Sequence, residues 1–165
     1  CAKTNQFNLR SVRHTAVDLQ KLARNNPDMC FLTSLSDVHG DHGIVGLVCM
    51  RALDRHTLFL DTFIQSCRVL GRHLESWMLH YAINIGRQHG FSTLVGEFIP
   101  TVRNSIAATF FETYGFEPLQ KTSCSGINAL NLEKFHDEAF SSSSKLFYRS
   151  LNKSKLPFVE VYEKN

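Results

Sequence analysis

The chain has 165 residues, of which 43% are hydrophobic and 20% charged, with a net charge of +3. Such a length makes one domain that buries roughly 68–70% of the surface its unfolded chain exposes, so a core forms without a disulfide or metal staple. The charge is too small to argue for a nucleic-acid partner, no apolar run has the length of a transmembrane helix, and the opening CAKTNQFNLR holds no apolar signal region.

Cys1, Cys30, Cys49, Cys67 and Cys124 are odd in number and include no C-x-x-C pair. They read as reduced thiols of a cytoplasmic protein. The missing initial Met reads as a domain taken from a longer protein. One domain is expected over 1–165, with its core in about 1–133 and a C-terminal extension in 134–165.

Thr15-Ala16-Val17-Asp18 resembles a loose capping box, and Val17, Leu19, Leu22 and Ala23 supply the inner side of a helix over 15–25 that Pro27 closes. MCFLTSLS (29–36) and IVGLVCMRA (44–52) read as strands of a hairpin joined by the turn-rich HGDHG. In HTLFLDTFI (56–64), a third strand, Leu58, Leu60, Thr62 and Ile64 alternate with Phe59, Asp61 and Phe63. From residue 71 the period becomes helical: Leu74, Trp77, Met78, Tyr81 and Ile85 recur on one side, and Gly90 stands at the C-terminal stop.

FSTLVGEFI (91–99) is strand-like again, and Asn104 can cap a helix over 104–114 with Ile106, Ala107, Phe110, Phe111 and Tyr114 inward. FEPLQ (116–120) and GINALNLEKF (126–135) read as a closing pair of strands. Beyond them, SSSSK is linker-like and LPFVEVY (156–162) can form an edge strand. The order predicts an α+β domain on a mixed, mainly antiparallel sheet flanked by helices, with one βαβ unit and its parallel strands.

SCRVLGRH (66–73) stands where strand hands over to helix. A helix start presents unpaired N–H groups and the positive end of a dipole, Gly71 lets an anion approach the backbone, and Arg68 and Arg72 add positive charge. The stretch is either a phosphate site or a tight turn with two solvated arginines. Cys67 can be read as a nucleophile activated by a helix N-terminus or, more simply, as a buried thiol. His39, Asp41 and His42 are ligand types without a further partner at a defined spacing, so no metal is expected.

R-V-L-G-R-H (68–73) resembles the acyl-CoA pyrophosphate loop Q/R-x-x-G-x-G/A of the Gcn5-related N-acetyltransferase (GNAT) superfamily. NSIAATFFETYGF (104–116) resembles its second block, N-x-x-A-x-x-L/F-Y-x-x-x-G-F. TNQFN (4–8), DTFIQSCRVLGRHLE (61–75) and GEFIPTVRN (96–104) are similar to the C-terminal acyltransferase-like region of FkbH-type proteins. There, this region usually follows a HAD-type phosphatase domain that loads a glyceryl unit onto an acyl carrier protein. No D-x-D-x-[TV] phosphatase motif is present in this sequence, so that loading chemistry does not transfer to it.

The resemblance implies a GNAT fold whose βαβ unit forms an acyl-CoA site between strands 56–64 and 91–99. Backbone from Cys67 through Arg68, Val69, Leu70, Gly71 and Arg72 to His73 would hold the pyrophosphate. Phe63 or Ile64 would pair with the pantetheine and polarise the thioester carbonyl. Asn104 would reach the pantetheine or a catalytic water, and the helix bearing Phe111 would shield the sulfur. Two departures stand out: His73 replaces the small residue that ends the loop, and Phe111 replaces the tyrosine that protonates the leaving thiolate.

A general base could be Asp61 or Glu97, whose apolar neighbours would raise a carboxyl pKa; His14 is a third choice. Tyr114, one turn from Phe111, either supplies the missing proton or packs in the core. The implied activity is acyl transfer from a CoA or carrier-protein thioester to an amine, hydroxyl or thiol. The mildly basic charge would suit an acidic carrier protein as the donor, and the alternative is a non-catalytic module that binds the phosphopantetheine arm of an acyl carrier protein in an FkbH-like glyceryl-loading system.

Overall fold

The computed structural model describes residues 6–25, 27–119 and 143–152. In chain order it contains β1 (Phe7–Asn8), α1 (Ala16–Asn25), β2 (Cys30–Asp37), β3 (Gly40–Ala52), β4 (Thr57–Gln65), α2 (Leu74–Gln88), β5 (Thr93–Phe98), α3 (Phe110–Thr113), β6 (Glu117–Pro118) and β7 (Lys145–Ser150). These strands form one sheet in the order β2-β3-β4-β5-β7-β6, with β1 paired to β4. All pairings are antiparallel except β4 with β5, the two strands that α2 connects. The mixed α+β architecture is the one expected.

Thr15 and Asp18 cap α1 reciprocally: the Asp18 N–H donates to Thr15 Oγ1 at 3.2 Å and the Thr15 N–H to Asp18 Oδ2 at 2.9 Å. The helix nevertheless buries none of its residues, and Val17 and Ala23, expected inside, are exposed. The β2–β3 turn is tighter than HGDHG suggests. Asp37 pairs directly with Gly40, leaving Val38 and His39 as the turn and the rest of HGDHG inside β3. Along α2 the stripe centres on Leu74, Met78, Leu79, Ala82 and Ile83; Trp77 and Tyr81 lie at its margin, stacked on each other at 5.3 Å.

Strict alternation fails in β4. Cys49 faces Thr62 but Met50 faces Leu60, so Asp61 is an extra residue, a β-bulge. The bulge returns Phe63 to the side of Leu58 and Leu60, where all three share a core with Leu74, Met78 and Leu79 of α2. Phe59 and Asp61 stay on the opposite side, among charged groups.

The helix expected over 104–114 divides into a 3-10 turn at Ser105–Ala107 and the short α3. Ile106 and Thr109 are β-branched and Ser105 competes for backbone bonds, so local preference for a continuous helix is weak. Ala107, Phe110, Phe111 and Tyr114 are buried as expected, while Ile106 is exposed. The strand that closes the sheet beside β5 and β6 is β7, in a stretch that reads as irregular from the sequence. The strands expected at 126–135 and 156–162 lie outside the described residues. No helix among the described residues is long and apolar enough to cross a membrane.

Candidate functional site

β4 and β5 pair only from Thr57↔Thr93 to Leu60↔Gly96. Beyond that point the strands part, and residues 7–9 occupy the gap. Phe7 pairs with Gln65 and Asn8 with Ile64, the Leu9 N–H donates to the Phe63 carbonyl at 3.4 Å, and the Ile99 N–H donates to the Leu9 carbonyl at 2.9 Å. The Phe7 ring lies 5.6 Å from Phe110 and 6.0 Å from Phe63. The backbone edge at Phe63 and Ile64 expected to face a pantetheine thus carries the chain's own first strand.

At the apex of the gap sits a buried charged cluster. Asp61 and Glu97 each follow the last paired residue of their strand, and Arg10 bridges them. Its Nε donates to Glu97 Oε2 at 2.8 Å and its Nη1 to Asp61 Oδ1 at 2.9 Å and to the Asp61 carbonyl at 3.1 Å. Arg51 Nε reaches Asp61 Oδ1 at 3.3 Å, and His14 Nε2 lies 3.3 Å from Asp61 Oδ2 without the alignment of a hydrogen bond. Both guanidiniums stand 5.0 Å from the Phe59 ring centroid. Glu97 is fully buried, yet its Oε1 has no hydrogen-bond partner among the described residues.

Burial pushes the Asp61 carboxyl up, as expected, but the His14 contact and the charges of Arg10 and Arg51 outweigh it and hold the pKa down at about 2, against the usual 3.8. The shift is thus opposite to the rise expected from burial, and Asp61 stands as the ionised partner of Arg10 and Arg51. Because the folded pKa is the lower one, this contribution is complete above about pH 4 and is lost as pH falls through about 2. At 1.36 kcal/mol per unit the loss is about 2 kcal/mol. Urea melts should show wild type losing that much more stability than Asp61→Asn between about pH 4 and pH 2; equal losses would contradict the ion-pair assignment.

The loop after β4 is partly self-satisfied. The Arg68 N–H donates to Ser66 Oγ, the Val69 N–H to the Ser66 carbonyl, the Leu70 N–H to the Cys67 carbonyl and the Arg72 N–H to the Val69 carbonyl. Of the row expected to face phosphate, the N–H groups of Gly71 and His73, with that of Leu74 opening α2, have no partner among the described residues. Gly71 has φ 79° and His73 φ 57°. The first demands glycine and the second places an exposed histidine in the left-handed region, where a small residue is less strained. What Gly71 provides is this φ, since an added Cβ would meet nothing within 4 Å.

Arg72 is not a solvated arginine: it forms an ion pair with Asp37 at the hairpin tip, which His42 Nε2 also approaches at 3.1 Å. Arg68 is exposed, with its Nε on Ser66 Oγ at 3.3 Å. Cys67 is exposed rather than buried; it opens a single 3-10 turn, Cys67–Val69, and precedes the start of α2 by seven residues.

Asn104 is fully buried and does not cap a helix with its side chain. Its Oδ1 accepts from the Thr101 N–H at 2.7 Å and from Thr101 Oγ1 at 2.9 Å. Its Nδ2 donates to the carbonyls of Asn8 and Ile99, both at 2.9 Å, and lies 3.2 Å from Ser11 Oγ. Asn104 Nδ2 thus ties the first strand to the residue after β5, while its Oδ1 fixes the loop at Thr101.

Phe111 is sealed in the core, packed over Gly96 and stacked on Phe147 at 5.0 Å. Tyr114 is buried against Phe110 at 5.0 Å; burial and the nearby Glu75 raise its pKa, which makes it a poorer acid. The structure brings Asp61, Glu97 and His14 together at the apex and keeps Cys67 and Tyr114 apart from them. Arg10 and Arg51, the cations that organise this cluster, are absent from the sequence reading.

No protein-family model and no curated protein matches the chain. Solved structures do. Ard1 from Thermoplasma volcanium superposes with a TM-score of 0.62 at 15% identity, covering 84% of this chain and 81% of that one. A Mycobacterium tuberculosis protein crystallised in complex with CoA gives a TM-score of 0.62 at 11% identity, covering 84% and 83%. An acetyltransferase of the GNAT family from Staphylococcus aureus gives 0.58 at 14%, covering 86% and 82%. The chain has the fold of GNAT-family acetyltransferases.

Proposed function

We propose that this chain binds an acyl thioester of CoA or of a phosphopantetheinylated carrier protein and transfers the acyl group to an amine, hydroxyl or thiol. The observation that carries the proposal is the parting of β4 and β5 beside a loop whose Gly71, His73 and Leu74 N–H groups have no acceptor among the described residues. An anion at this loop gains from those donors, from the start of the fifteen-residue α2 and from Arg68. The thioester arm would run along the Phe63–Ile64 edge, with the acceptor approaching from the side of Asp61 and Glu97. On this reading Asn104 is a positioning residue that sets the width of the gap.

Two features favour the second reading, a non-catalytic module for the phosphopantetheine arm of an acyl carrier protein in an FkbH-like system. Phe111 has no proton for a leaving thiolate, and Asp61, held ionised to about pH 2, is a weak base. Glu97 is then the group left to accept a proton from an acceptor.

Calorimetric titration with CoA and acetyl-CoA tests both readings, which share the ligand. Binding is expected in the micromolar range and at least tenfold weaker in Arg68→Ala/Arg72→Ala. No heat at millimolar CoA contradicts the free-CoA form of the proposal. Turnover of acetyl-CoA with an acceptor amine separates the enzyme from the binding module.

A further inference from the structure

We propose that residues 7–10 are a displaceable internal mimic of both substrates, so that ligand binding and release of this segment are one equilibrium. The inference rests on the acyl-thioester reading above. The extended backbone of Phe7–Leu9 pairs with the edge of β4 at Gln65, Ile64 and Phe63, as the amides of an extended thioester arm would. The Phe7 ring fills the apolar space between Phe63 and Phe110 that the arm would cross. The next side chain but two, Arg10, puts a cation between Asp61 and Glu97, where the ammonium of an acceptor would sit to lose its proton.

Two details mark the segment as an occupant rather than a permanent strand of the sheet. Its ladder on β4 has two paired residues and is prolonged only by a long bond, 3.4 Å, from Leu9 to Phe63, so the contacts a ligand has to replace are the Ile99 N–H on the Leu9 carbonyl, Asn104 Nδ2 on the Asn8 carbonyl and the Arg10 ion pairs. Among the described residues Glu97 Oε1 remains buried and without a donor, so Arg10 satisfies the apex only in part and a ligand with a second donor would do so more completely. With the segment bound, the site is closed, and the apparent affinity for CoA is lowered by the fraction of chains that are closed.

The test is a reversible lock. Asn8 and Ile64 face each other across the β1–β4 pairing and sit between the Phe7 and Leu9 contacts, so Asn8→Cys/Ile64→Cys can be oxidised to hold the segment in place. CoA is titrated calorimetrically into the oxidised and reduced lock, wild type and Phe7→Ala, with the new disulfide verified by peptide mass spectrometry. The expected results are at least tenfold weaker binding in the oxidised lock than in its reduced form, at least tenfold tighter binding in Phe7→Ala than in wild type, and faster amide exchange of residues 7–10 when CoA is bound. Equal affinity of oxidised and reduced lock overturns the proposal and leaves the thioester reading standing. No binding by any of the four overturns the thioester reading, and the mimicry with it.

Discussion

Arg10→Met will destabilise the fold by about 3–5 kcal/mol, which for a domain of this size lowers the melting temperature by on the order of 10 °C. Arg10 is 7% exposed and its guanidinium is the direct link between Asp61 of β4 and Glu97 of β5; without it, two carboxylates stay buried at the point where the strands part. Most of the loss is the penalty of stranded charge, so the triple variant Arg10→Met/Asp61→Asn/Glu97→Gln should recover much of it. Urea titrations of the three chains decide the matter. A loss below about 1 kcal/mol in the single variant would mean the carboxylates find other partners or protonate freely, and the bridging role assigned to Arg10 would be wrong.

Gly96→Ala is the second large effect. A Cβ at this position would fall well inside contact distance of the Phe111 ring, and that ring is held between Phe110, Phe116 and Phe147 at centroid distances of 5.0–5.3 Å. Overpacking of this kind costs about 1–3 kcal/mol. Phe111→Ala alone should cost about 3–5 kcal/mol through the cavity it leaves. In the Phe111→Ala background, however, Gly96→Ala should be nearly neutral, giving a coupling of at least about 1 kcal/mol in a double-mutant cycle. Additive losses would show that the ring is free to move off β5. The same packing bears on chemistry: the position expected to carry a proton-donating tyrosine is occupied by a side chain whose role is to close the core over a glycine.

Much of the fold was legible because its signals are local. The Thr15–Asp18 box, the period change at residue 71 and Gly90 at φ 80° fix α1 and α2 without any long-range knowledge. β7 carries little signal of its own, since Leu146-Phe147-Tyr148 is a short apolar run between Lys145 and Arg149 with no alternation, and a serine run precedes it. The bulge at Asp61 was not legible. It depends on how β3 and β4 slide past each other, and one skipped residue exchanges the sides of everything after it.

The site divides in the same way. Gly71 announces itself through the backbone it requires, and Asp61 and Glu97 stand out as charges in apolar strands. The partner that decides their chemistry does not. Arg10 lies 51 residues from Asp61 and 87 from Glu97, and only the return of the N-terminal segment into the gap brings them together. The expected rise in the Asp61 pKa followed from burial alone; the lowered pKa follows from the His14 contact and from the Arg10 and Arg51 charges, which no local pattern revealed. Asn104 was found for its place in a motif, yet in the fold its hydrogen bonds are turned inward, onto that same N-terminal segment.

The most direct measurement of the central claim is an amide-resolved proton–nitrogen NMR titration of the full chain with CoA. The account predicts saturable shifts at Gly71, His73 and Leu74, where the loop donors meet the phosphates, together with shifts at Asn8 and Leu9 as the first strand gives up the β4 edge. Unchanged amides at the loop when CoA is millimolar would contradict it, and the parting of β4 and β5 would then serve only to seat the N-terminal strand.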